Sequence, residues 1–84
     1  MEVALKIKII EDKPPTLKDA QAFVGGFVQC ITLDDDSQML MDEEGKLKNK
    51  SINHKATELA RSVLFPRDYI AGDVLILKGP ARWR

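Results

Sequence analysis

Only one thiol, Cys30, and one imidazole, His54, are available for nucleophilic chemistry in these 84 residues. An activated thiol needs a base within hydrogen-bond reach. Cys30 falls in the middle of a β-branched run and His54 beside a helix start, so the expectation is a buried strand cysteine and a surface histidine rather than a catalytic pair. Acids are better supplied. Asp34, Asp35, Asp36, Asp42, Glu43 and Glu44 crowd one short stretch. A calcium loop starting at Asp34 would need Gly at its sixth position and Glu at its twelfth, but the chain has Met39 and Gly45 there. A general acid and base need environments that separate two carboxyl pKa values, whereas these acids read as solvated turns. Gly25-Gly26 is too little for a Walker or dinucleotide phosphate cradle and reads as a helix stop. No catalytic residue, metal site or cofactor is expected.

Binding is the better prospect. Lys46, Lys48, Lys50, Lys55 and Arg61 read as a basic stripe running onto a helix, and Arg82-Trp83-Arg84 interleaves an aromatic with guanidinium groups. Such groups could hold a phosphate, a nucleic acid or an acidic protein surface. The charges are also segregated along the chain. Before Lys46 there are ten acids against four lysines, and from Lys46 onward nine bases against three acids, so a formal charge of zero conceals two opposed blocks. The candidate binding residues are therefore Asp34, Asp35, Asp36, Glu43, Glu44, Lys46, Lys48, Lys50, Asn53, Arg61 and Trp83.

The elements that must position these residues follow from periodicity. Glu2 to Ile10 alternates, with Val3, Leu5, Ile7 and Ile9 opposite Lys6 and Lys8, which predicts a strand with one buried face. After Pro14-Pro15, Thr16 is an N-cap candidate for a short helix through Val24, closed by the Gly pair. Phe27 to Leu33 and Gln38 to Asp42 read as strands of a hairpin whose turn is Asp34-Asp35-Asp36-Ser37. Lys46 to Ser51 lacks periodicity and reads as an exposed connection. Asn53 can cap a second helix, with Ala56, Leu59, Ala60, Val63 and Leu64 at helical spacing and Pro66 ending it. Ile70 to Leu77 is the last strand.

These elements make one α+β domain over residues 1–79 in the order β-α-β-β-α-β, with a basic C-terminal tail over 80–84. A mostly antiparallel sheet with both helices packed on one face is expected, and a ferredoxin-like arrangement is compatible with that order. The lone cysteine and the absence of an apolar leader point to a reducing cytoplasm. No run is long and apolar enough to span a bilayer. At this chain length the buried core leaves little margin, so self-association would be a natural supplement.

Val24-Gly25-Gly26-Phe27-Val28, Asp42-Glu43-Glu44-Gly45-Lys46-Leu47, Asn53 and Ile70-Ala71-Gly72-Asp73-Val74-Leu75 occur in an order that resembles a family of small domains of unknown function, found mostly in bacteriophages, prophages and mobile elements. In that pattern the aromatic after the Gly pair corresponds to Phe27, and the acidic-Gly-Lys turn to Glu43, Glu44, Gly45 and Lys46. The sequence departs from the pattern twice. Asp42 stands where the family often has Asn, and Lys48-Asn49-Lys50-Ser51 replaces a Gly-Leu-Pro-like stretch. The resemblance supplies no catalytic residues. It implies only a phage accessory gene acting on host machinery. Taken with the charged surfaces, the expectation is a non-enzymatic protein in the host cytoplasm that binds and modulates a host protein, through either the acidic hairpin or the basic stripe. The alternatives are an oligomeric module that sequesters a phosphate-bearing metabolite or signalling nucleotide through Lys46, Lys48, Asn53 and Arg61, and nucleic-acid binding through the basic half.

Overall fold

A computed structural model describes residues 5–84, so Glu2, Val3 and Ala4 of the expected first strand lie outside the described residues. Four strands, β1 (Ile7–Ile10), β2 (Val28–Asp34), β3 (Ser37–Asp42) and β4 (Val74–Lys78), form one sheet with the two helices α1 (Leu17–Val24) and α2 (His54–Leu59). The strand order is β1-β4-β3-β2. β4 runs parallel to β1 and antiparallel to β3, and β2 and β3 form the expected hairpin. The α+β class and the single small domain hold.

The sheet is mostly antiparallel, as expected, with β1–β4 its one parallel pairing. The placement of the helices differs from expectation: they cover opposite faces, which excludes the ferredoxin-like arrangement. Met39, Met41, Val74 and Ile76 pack with Ala56, Ala60 and Ile70 on the α2 side, while Leu40, Leu75 and Leu77 pack with Ala20 and Ala81 on the α1 side. The physical reason is the composition of the two central strands. Met39-Leu40-Met41 and Val74-Leu75-Ile76-Leu77 are apolar without alternation, so each needs cover on both faces and a neighbour on both edges. At the sheet edge, where the ferredoxin-like order would put it, β4 would expose a strand that is buried along Val74–Leu77.

Local sequence accounts for the ends of the helices. Thr16 Oγ1 accepts the Asp19 amide at 3.0 Å, and Gly25 closes α1 at φ 84°, a left-handed conformation that glycine adopts without penalty. Asn53 Oδ1 accepts the Ala56 amide at 3.1 Å and begins α2. That helix is shorter than its spacing predicts: it stops at Leu59, and a 3₁₀ turn over Arg61–Val63 leads into Leu64. Leu59 and Val63 consequently face solvent instead of extending the apolar stripe. The chain then turns at Phe65-Pro66-Arg67-Asp68, where the Asp68 amide bonds to the Phe65 carbonyl at 3.0 Å and Arg67 takes φ 104°. A proline second and a positive φ third define a type II turn, which favours Gly where this chain has Arg.

The C-terminal residues are part of the fold rather than a separate tail. A 3₁₀ turn over Gly79–Ala81 buries Ala81, and Trp83 packs beside the α1-side core. Its amide donates to Gln38 Oε1 at 2.7 Å, its carbonyl accepts Gln38 Nε2 at 2.8 Å, and its indole N–H donates to the Pro15 carbonyl at 3.0 Å. Trp83→Ala should therefore cost about 2 kcal/mol in urea denaturation. A free tail would lose less than about 0.5 kcal/mol.

Candidate functional site

The charge reversal at Glu44-Gly45-Lys46 folds back on itself. Asp42, the last residue of β3, has a fully buried carboxylate. Its Oδ2 lies 2.7 Å from Lys50 Nζ and 2.9 Å from Lys48 Nζ, and its Oδ1 accepts the Glu44 amide at 2.9 Å. The same two ammonium groups reach the end of α1, Lys50 to the Val24 carbonyl at 2.6 Å and Lys48 to the Gly25 carbonyl at 3.1 Å. These are carbonyls at and just past the helix terminus, where cations are favoured. The two departures from the resembling pattern, Asp42 and Lys48 to Ser51, are thus the two halves of one ion cluster.

Close approach explains the surrounding glycines. A Cβ on Gly26 would lie 2.7 Å from Asp42 Oδ1, and one on Gly72, at φ 86°, would lie 2.9 Å from Lys50 Cδ. Burial acts to raise the Asp42 pKa, but the bonds from Lys50, Lys48 and the Glu44 amide outweigh it and hold the carboxyl at about 2.

A second pair lies toward the α2 side. Lys46 binds Asp68 and sits over the Tyr69 ring at 4.6 Å from its centroid. The Asp68 carboxyl is held below its ordinary range by Lys46 and by the Tyr69 amide. Arg61 Nη1 reaches the Asp68 carbonyl at 3.4 Å. Next to this pair is a small cavity of about 200 Å³ that Gln29, Glu43, Lys46, Asp68 and Tyr69 help to line, below the roughly 300 Å³ at which ligand pockets usually begin.

The expected binding residues therefore separate. Lys46 and Arg61 converge on Asp68, but Lys48 and Lys50 are directed to Asp42 on the other side, so the lysines form no continuous free stripe. Asn53 is buried, and its amide donates to the Gly72 carbonyl at 2.9 Å. Trp83 is likewise committed to the fold. Asp34 accepts the Asp36 amide and the Ser37 hydroxyl, which hold its pKa down and shape the hairpin turn. The carbonyls of Asp35 and Asp36 take bonds from Arg82 and the Gly79 amide, while their side chains are exposed. Glu43 is exposed and Glu44 half-buried. Cys30, expected to be buried, is exposed on the edge strand β2. His54 opens α2.

Sequence reasoning missed the large apolar residues that the fold leaves outside. Phe27 is 64% exposed, and Leu47 and Phe65 are each 82% exposed. Phe27 and Leu47 belong to the signature runs themselves, so the signal was present in the motif.

Fold and cluster together define a small α+β domain in which a buried carboxylate with two lysines ties strand, helix and loop. The chain belongs to the family described as Domain of unknown function (DUF3846), whose pattern matches residues 2–83. No curated protein and no solved structure matches it. Among the described residues, no helix is long and apolar enough to cross a membrane, and no three His, Cys, Asp or Glu side chains gather as metal ligands.

Asp42→Asn leaves two ammonium groups without their carboxylate and should destabilise the protein by about 3 kcal/mol, with a smaller loss when Lys48 and Lys50 are both Met. The pH dependence has a definite sign. The folded-state pKa of about 2 lies below the ordinary 3.8, so the stabilisation is complete above pH 3.8 and disappears as pH falls through 2. Wild type should lose about 2 kcal/mol more than Asp42→Asn over that window in urea titrations at stepped pH. Parallel curves for the two proteins would show that the cluster contributes nothing.

Proposed function

We propose that this domain is a non-enzymatic binding module, a bacteriophage-type accessory protein that works in the host cytoplasm by covering the surface of a host protein. One observation carries the reading: the signature residues divide by role. Gly25, Gly26, Asp42, Gly45 and Gly72 are used within the fold by close approach or by hydrogen bonds, whereas Phe27 and Leu47 project into solvent. Exposing two large apolar side chains beside a rigid polar cluster gains nothing for folding. Such residues are what a partner surface desolvates in the centre of an interface.

Phe27 lines a shallow cleft with Gln21, Ala22, Gly26, Glu44 and Lys48, and its carbonyl accepts the Glu43 amide at 2.8 Å. Leu47 lies between Lys46 and Lys48, the two lysines that are held in ion pairs. The contact surface is therefore apolar in its anchors, with Glu43, Glu44 and Lys48 as its rim. The phage setting rests on the resemblance of the ordered signature alone.

The test is capture from host lysate by tagged protein, compared with a Phe27→Ala/Leu47→Ala variant. Stability should change by about 0.5 kcal/mol or less because both side chains are exposed. Capture should fall at least tenfold, corresponding to about 1.4 kcal/mol or more of lost anchor energy. Undiminished capture by the double variant would overturn this surface as the site.

A further inference from the structure

The two edges of the sheet are protected very differently. β1 is four residues long, contains Lys8, follows Lys6 and leads toward Pro14-Pro15. Short length, lysine and proline are the usual devices that stop an edge from pairing with another chain. β2 is seven residues long and has no lysine and no proline, and its only irregularity is a register shift between Thr32 and Asp34 at the hairpin tip. The Phe27 carbonyl bonds to β3 through the Glu43 amide, so the antiparallel alternation turns the backbone groups of Val28, Cys30 and Thr32 outward. No described backbone or side-chain group outside the sheet bonds to them, and Cys30 and Thr32 are exposed.

We propose that β2 is a homodimer interface, pairing antiparallel with β2 of a second copy about a two-fold axis at Cys30. That register sets Val28 opposite Thr32 of the other copy and Cys30 opposite its own equivalent, so outward-facing groups meet outward-facing groups and no charge opposes a like charge. On the other face, Gln29 meets Ile31, and the half-buried Ile31 and Leu33 extend the apolar surface of the α2 side across the seam. Charge selects the direction. Parallel pairing would bring together the Asp34-Asp35-Asp36 tips of both copies. Antiparallel pairing puts the tips at opposite ends, each passing the other copy's Gly26, where the Lys48 ammonium group lies. Glu44 shares that cleft, so these ends are balanced rather than strongly attractive. The ladder therefore supplies most of the association, and the result is one continuous sheet through both copies.

Sedimentation equilibrium over roughly a hundredfold range of concentration should give a mass rising toward twice the 9.4 kDa of the chain. Opposed Cys30 residues would have their Cα atoms about 5.5 Å apart, so a short bis-maleimide should link the native dimer through them. Thr32→Lys places an ammonium group on an exposed edge position without touching the core. It should leave the circular dichroism unchanged, hold the protein as a monomer and abolish the cross-link. A wild-type protein that stays monomeric throughout, or a dimer that Thr32→Lys leaves intact, would overturn the proposal. The register also sets Phe27 opposite Leu33 of the second copy, so the two surfaces are read apart by their measurements: mass and cross-linking of Thr32→Lys report on the dimer, and capture by Phe27→Ala/Leu47→Ala reports on the host surface.

Discussion

The buried carboxylate of Asp42 is the constraint on which the rest of the structure depends. An unpaired carboxylate in that position would be prohibitively costly, and the chain compensates with two lysines that follow it by only six and eight residues. Those lysines also hold the end of α1, so one anion fixes the helix terminus, the end of β3 and the loop before α2 relative to each other. The glycines on either side are then obligatory. A side chain at Gly26 would occupy the space of the ion pair, and one at Gly72 would block the Lys50 stem. Motif residues far apart in sequence are thus parts of one interaction.

This use of charge changes how the opposed blocks should be understood. The acidic and basic segments meet inside the monomer at Asp42, Lys48 and Lys50, and within the basic segment Lys46 is paired with Asp68. Little of the basic stripe is left for a polyanion. The surface that remains unassigned is apolar, with Phe27, Leu47 and Phe65 outside the core. Arg67 adds a backbone feature beside one of them, a non-glycine residue at φ 104°. Strain of that kind is retained only where the surroundings enforce it or where function uses it.

Local chemistry was legible in the sequence. Thr16 and Asn53 cap the helices they were expected to cap, Gly25 ends the first, and the acidic turn joins the expected hairpin. What failed was spatial. Five residues at helical spacing suggested a single buried stripe from Ala56 to Leu64, but only Ala56 and Ala60 are buried because the helix tightens to 3₁₀ geometry after Leu59. The unbroken apolar runs of β3 and β4 require a sheet covered on both faces, which the order of elements alone does not reveal. At the site, the lysine positions were visible, but their partner was not. Nothing in a one-dimensional pattern distinguishes Asp42, which is buried, from Glu43, which is exposed. The final residues looked like a loose basic end because the acceptors of Trp83, Gln38 and Pro15, are distant in sequence.

The position of β4 bears on how the protein is made. A central, buried strand of the sheet is also the last of the four in sequence, and it is the partner both of β1, the first of them, and of β3. While the chain is growing, β2 and β3 can pair as a local hairpin, but β1 has no neighbour and the Leu40 side of the sheet has no cover from Leu75 or Leu77. The domain therefore cannot close until β4 is available to pair, and Trp83 then docks on Gln38 and Pro15 to complete it. A chain without β4 would present an unfinished sheet, with β1 unpaired and β3 bare along one edge, so folding of this domain turns on the strand that comes latest in its sequence.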